Sequence, residues 1–203
     1  MNREWWAPLT GVAFIVVAIV GFAIGGEPPD ADSPVEEIVD HYVDNEGSVM
    51  FGAALGGIAA TLLIFFAGYL RKVLRAAEGE GGVLSAVALV GATILAVGAA
   101  LDATISFALA ETAEDIEPTS VQTLQALWDN DFMPFAVGSQ VLFLAAGLSV
   151  VRHGALPKWL GWVAIVLGLV SVTPIGFIAF IGGAIWIAIV SVILSLRLRS
   201  ATV

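Results

Sequence analysis

Within the apolar stretches of this chain a single side chain is ionisable, Asp102. A carboxyl group in hydrocarbon is costly, so it marks either an interface or a place where a proton or cation is held. Thr104 and Ser106 follow it closely in sequence. Ser139 and Gln140 stand in the next apolar stretch, and Gln140 lies about 12 Å along a helix that begins at Phe132. That spacing predicts a depth similar to that of Asp102. Asp102, Thr104, Ser106, Ser139 and Gln140 therefore form a candidate polar pocket open to the outer face. The plainer alternative is an interface carboxylate satisfied by neighbouring hydroxyl, amide and carbonyl groups. No Lys, Arg or His inside the apolar stretches is available to pair with Asp102.

A second group lies between the first two apolar stretches. Glu36, Glu37, Asp40 and Asp44 line one side of a helical repeat whose other side is Val35, Ile38, Val39, Tyr42 and Val43. His41 rides with the acids. Such a face can bind a partner or gather cations; more simply, it is a solvated surface. Ser33-Pro34-Val35-Glu36 reads as a capping box with proline at the first helical position, and Gly47 as the end or hinge of the element. A weaker copy follows later, with Thr119 and Gln122 as cap and Val121, Leu124, Leu127 and Trp128 as stripe. Asp129-Asn130-Asp131 offers oxygen ligands without the spacing of a calcium loop, so no metal is expected. His41 and His153 fall on opposite sides of the membrane and cannot share a metal or haem.

Other chemistry is excluded by what the sequence lacks. There is no Cys, no H-E-x-x-H, no G-x-S-x-G and no phosphate-binding glycine loop, so no enzyme and no cofactor are expected. A net charge of −10 argues against a nucleic-acid partner, because phosphate contacts need Lys and Arg.

The elements that must position these residues are membrane helices. Hydrophobic residues make up 59% of the 203, charged residues 13%, against about 45–50% and 25% in soluble domains. A crossing helix needs about 20 mainly apolar residues. Residues 8–25, 49–70, 83–109 and 132–151 qualify. The apolar run from Leu160 to Leu196 is too long for one crossing and holds Thr173-Pro174 at its middle. Proline breaks the helix there, giving two spans, 160–172 and 175–196, of which the first is short. The run at 8–25 is long for a signal-peptide core, and Met1-Asn2-Arg3-Glu4 before it has no net side-chain charge, so it reads as a span.

Charge tests this count of six. Arg3, Arg71, Lys72, Arg75, Arg152, Lys158, Arg197 and Arg199 all fall on one side, the cytoplasmic one by the positive-inside rule. The opposite loops, 26–47 and 110–131, hold 14 acids and neither Lys nor Arg. Trp5, Trp6, Tyr69, Trp159 and Trp162 gather at the inner interface. Gly21-x-x-x-Gly25 and Gly52-x-x-x-Gly56 let helix backbones approach closely and are read as internal packing.

The Leu156-Pro157-Lys158-Trp159-Leu160-Gly161-Trp162 entry to the last span pair, the acidic outer loops and the short basic C-terminus carry a resemblance. The chain resembles uncharacterised bacterial multi-pass membrane proteins of the domain-of-unknown-function type. That resemblance implies a small helical integral membrane protein and no activity.

The expected protein is thus an all-α integral membrane bundle of six transmembrane helices forming one domain. Both termini are cytoplasmic, and two short amphipathic helices lie in the outer loops. Its setting is a bacterial-type inner or plasma membrane. Its partners are the lipid bilayer and, beyond that, another membrane protein or a second copy of itself. The expected role is non-enzymatic: interaction, sensing or regulation, or else a small permease using the Asp102 and Gln140 region.

Overall fold

The computed structural model describes residues 4–200. Arg3, one of the basic residues assigned to the inner side, lies outside the described residues. A short 3-10 segment, Glu4–Leu9, leads into α1 (Thr10–Gly25). It is followed by α2 (Val35–Asp44), α3 (Glu46–Glu78), α4 (Val83–Thr112), α5 (Pro118–Asp129), α6 (Phe132–His153), α7 (Lys158–Val170) and α8 (Gly176–Ser200). No strand occurs among the described residues.

Five helical stretches are long and apolar enough to cross a bilayer, those built on α1, α3, α4, α6 and α8. Their outward faces are apolar: Val16, Ile19, Phe22, Phe65, Val90, Val97 and Ile181 are all exposed. In water such a surface would aggregate; in lipid it is the expected boundary. The interior is built from small residues. Ala88, Ala92, Ala96, Ala145, Ala146 and Ala164 are buried alongside Phe66, Phe143 and Trp186.

Glycine sets the register between helices. At Gly52 an added Cβ would sit 2.7 Å from the Gly21 carbonyl and 2.9 Å from the Gly25 Cα, so α1 and α3 touch backbone to backbone. The paired small-residue motifs serve packing inside the chain here. Between α4 and α6, Gly91 lies on the backbone of Leu142, Gly138 on Leu95, and Gly98 on Pro134. Each step along α4 towards its C-terminus is matched by an equal step along α6 towards its N-terminus. The two helices are antiparallel, and the register places Asp102 level with Asp131.

α7 is 13 residues long, about 20 Å, which is less than a full hydrocarbon crossing. It runs antiparallel to α6: Gly161 meets Gly147, Gly168 meets Leu144, and the Ser171 hydroxyl donates to the Ala136 carbonyl at 3.3 Å. The turn around Thr173-Pro174 therefore lies near the level of Ala136, about one helical turn short of the start of α6. From it α8 returns to the other end, where Arg197 donates to the Ala155 carbonyl at 2.8 Å.

The two ends of the bundle differ in chemistry. At one, the Arg199 guanidinium lies 4.2 Å from the centroid of the Trp5 ring, and the buried Trp186 indole donates to the Leu160 carbonyl at 2.9 Å. Glu78, at the end of α3, accepts from the Ser149 hydroxyl of α6 and from the Ser85 backbone N–H at 3.2 Å. This ties α3, α4 and α6 together and puts a carboxylate at the N-terminal dipole of α4. At the other end, α2 and α5 lie across the bundle. Ile38, Tyr42 and Val121 form a separate small core with Val49 of α3 and with Leu109, Ala110 and Ala113 at the end of α4.

The cap helices start differently from the sequence expectation. α2 begins at Val35, and Pro34 is its N-cap rather than its first helical residue. With ψ at 135° Pro34 is extended, its carbonyl accepts from the Glu37 and Ile38 N–H groups, and no side chain caps the helix. Gly47 neither ends α2 nor hinges it, because α3 has already begun at Glu46. In α5 the N-cap is Glu117 with Pro118 at the first position, so Thr119 is not the cap. Neither helix has a side-chain cap, and in α5 proline's fixed φ pre-sets the first turn.

Candidate functional site

A cavity of about 350 Å³ opens inside the bundle beneath α2 and α5. Its walls come from α1 (Phe14, Ala18, Gly21, Phe22), α3 (Gly52, Ala53, Gly56, Ala59), α4 (Leu95, Ala99, Asp102, Ser106), α6 (Phe135, Ser139, Phe143) and α8 (Phe180, Gly183, Ile187). The cause is the composition of these helices. Gly56, Ala53, Ala59, Ala99 and Ala103 present little side chain along the cavity walls. From Ser106 down to Leu95 the cavity follows α4 for about 16 Å.

Polarity is confined to the capped end. Asp102 and Ser106 reach it from α4, His41 and Tyr42 from α2, and Trp128 from α5. Ser139 is a single hydroxyl further down, and below it the wall is apolar. The Trp128 indole N–H is buried without a hydrogen-bond partner. The His41 Nε2 and one Asp131 carboxyl oxygen are likewise buried without a hydrogen-bond partner. Two of these unsatisfied atoms, those of His41 and Trp128, belong to residues that line the capped end of the cavity. A buried polar group without a partner is uncommon and calls for an explanation.

The cap is held by a chain of hydrogen bonds. The Tyr42 hydroxyl donates to Oε1 of Gln125 at 2.6 Å, and Gln125 Nε2 donates to Oδ1 of Asp129 at 2.8 Å. The other Asp129 oxygen accepts from the Ala31 backbone N–H at 2.8 Å, and Gln122 Nε2 donates to the Ala31 carbonyl at 2.9 Å. α2, α5 and the segment before α2 are therefore one unit. Burial raises the Tyr42 phenol well above its ordinary value, and the Asp129 and Asp102 carboxylates add to the effect, so the hydroxyl remains a donor. Burial also lowers the His41 imidazole from 6.5, favouring its neutral form.

The structure gathers some of the sequence candidates and separates others. Asp102, Ser106 and Ser139 share the cavity. Thr104 does not: it is exposed on the outer side of α4, and its hydroxyl donates to the Ala100 carbonyl at 2.7 Å. Gln140 is not at the depth of Asp102. The glycine-set register of α4 on α6 puts Asp131 at that level and Gln140 nine residues further in, about 13 Å. Gln140 sits instead on the side of α6 that meets α7, where its carbonyl faces Gly168. Glu36, Glu37, Asp40 and Asp44 are exposed on the far side of α2. His41, grouped with them by sequence, turns inward to the cavity.

Tyr42 and Trp128 line the site from helix faces that the sequence presents as apolar stripes. The signal was present in Tyr42 and Trp128, each an aromatic ring with a polar atom on an otherwise aliphatic helix face. Comparison with protein-family models, with curated proteins and with solved structures finds no match for this chain.

Proposed function

We propose that this is a non-enzymatic multi-pass membrane protein that takes a small amphiphilic molecule into the cavity beneath α2 and α5, as a permease or a sensor does. The observation that carries the reading is the cavity itself, apolar along its length and polar at one end around Asp102. Binding sites of this kind are mostly apolar, with a few converging polar groups that fix orientation. A carboxyl group placed within a membrane helix fits the same reading.

The proposed arrangement has six crossings, with α7 completing the fifth despite its length, and both termini in the cytoplasm. Support comes from the segregation of charge between the two ends and from the antiparallel return of α8 beside α7. The cap then faces outward, in a bacterial-type plasma membrane. A second role is favoured by one feature: Glu36, Glu37, Asp40 and Asp44 stand exposed together on the outer face of the cap, where a basic partner could dock.

The chain has no Cys, so single-cysteine variants test both points. In nanodiscs, Ser106→Cys should react with a small hydrophilic thiol reagent. Ser149→Cys, buried at the opposite end, should not. Equal inertness of the two would sink the cavity reading. In sealed vesicles, Asp44→Cys and Arg75→Cys should label from opposite sides; labelling from the same side would overturn the topology.

A further inference from the structure

We infer that the ligand of this cavity is a lipophilic organic cation, its charge beside Asp102 and its apolar body directed down the shaft towards Phe143. The inference rests on the binding role proposed above and names the class of molecule bound.

Charge comes first. The residues lining the cavity include a carboxyl group, Asp102, and neither Lys nor Arg. Asp131, outside the cavity lining, stands at the same level of the bundle by the register of α4 on α6, with one oxygen buried and unpartnered. A carboxylate under a protein cap loses hydration, and a cation beside it supplies the missing charge partner. An anion would be repelled. The aromatic rings of Tyr42 and Trp128 bound the same end, and such rings favour cations over anions.

The rest of the cavity excludes an inorganic ion as the fitting occupant. A bare metal cation needs several oxygen ligands, and the described residues contain no group of three or more acidic or His side chains set to hold one. Below Asp102 the wall is formed by Phe14, Phe143, Phe180 and Ile187, which offer nothing to a hydrated ion. They match the hydrocarbon body of an organic cation. The shaft and the carboxyl together select a molecule with both parts.

The test uses the full-length protein in phosphatidylcholine nanodiscs, with radiolabelled tetraphenylphosphonium as probe and empty nanodiscs subtracted. Tetraphenylborate, an anion of nearly the same shape, and a neutral phenyl-bearing alcohol serve as competitors. Saturable binding of the cation at one per chain is expected, displaced by unlabelled cation and not by the other two. Asp102→Asn should weaken it about tenfold or more, and Asp131→Asn less, because a charge partner in a shielded site is lost. Equal displacement by the anion or the alcohol overturns the inference, as does unchanged affinity in Asp102→Asn. So does the lack of saturable cation binding to the wild-type chain. The wild-type comparison of cation and anion stands even where a variant fails to fold. If Ser106→Cys is reactive while the cation does not bind, the cavity reading survives and the ligand class falls. If Ser106→Cys is inert, the cavity reading falls on its own.

Discussion

The Tyr42 hydroxyl on α2 donates a 2.6 Å hydrogen bond to the side-chain oxygen of Gln125 on α5, a residue 83 positions away in the chain. Both residues are buried. The bond is the point at which two short surface helices become one cap over the cavity. Tyr42→Phe keeps the ring and leaves the Gln125 oxygen without its donor. Loss of one partner of a buried bond costs about 1–3 kcal/mol. The cap should therefore open more readily, seen as faster proteolysis between Gly26 and Pro34 and a lower midpoint of thermal unfolding. Gln125→Leu, which removes the acceptor and the Asp129 contact together, should act in the same direction.

His41 gives the cap a pH dependence. Its folded pKa lies below the unfolded value of 6.5 because burial disfavours the imidazolium. Below pH 6.5 the unfolded chain thus binds more protons at this residue than the folded one, and stability falls as pH falls. The contribution is fully present above 6.5 and is lost progressively beneath it, down to the folded pKa. Wild-type protein should lose more thermal stability than His41→Gln between pH 7.5 and 5. Parallel curves for the two proteins would refute this.

The helix interfaces make a sharper stability prediction. An added methyl at Gly91 falls on the backbone of Leu142, and one at Gly138 on that of Leu95. Backbone cannot move aside without separating α4 from α6. Gly91→Ala and Gly138→Ala should each cost about 1–3 kcal/mol, as overpacking does. Gly68 in α3 is exposed, and a methyl there meets nothing within 4 Å. Gly68→Ala should be neutral or stabilise by up to about 1 kcal/mol through helix propensity. Thermal unfolding in one detergent ranks all three.

At the opposite end, Glu78 and Ser149 should respond unequally. Ser149 is fully buried, whereas Glu78 is only partly so. Glu78→Ala leaves a buried hydroxyl without its acceptor and takes the carboxylate from Ser85 at the start of α4. Ser149→Ala leaves Glu78 its bond to the Ser85 N–H and access to water. The first variant should cost about 1–3 kcal/mol and the second less. Equal losses would contradict the asymmetry.

Much of this molecule was legible in its sequence. The apolar helices, the break at Thr173-Pro174, the two amphipathic segments and the gathering of acids in two loops all follow from local composition and period. Asp102 stood out for the same reason, as the single ionisable side chain in the apolar stretches. Solvent sets these features, and each residue reports its own preference for it without reference to distant neighbours. Gln140 does not share the depth of Asp102, because distance from a helix end leaves open the offset between helices that packing sets.

What only the tertiary structure decided is register. Gly91, Gly98 and Gly138 lock α4 against α6 so that Asp102 lies level with Asp131, with Gln140 about 13 Å deeper. A one-sided contact between two backbones is specified by both helices at once, and neither sequence segment carries it alone. The same holds for the cap. That α2 and α5 are amphipathic is local information; that Tyr42 finds Gln125 and turns His41 inward depends on where α3 and α4 hold them. Sequence determined which residues avoid water and which seek it. Packing decided which of the seekers share one cavity, because close backbone contact admits a single alignment of the helices.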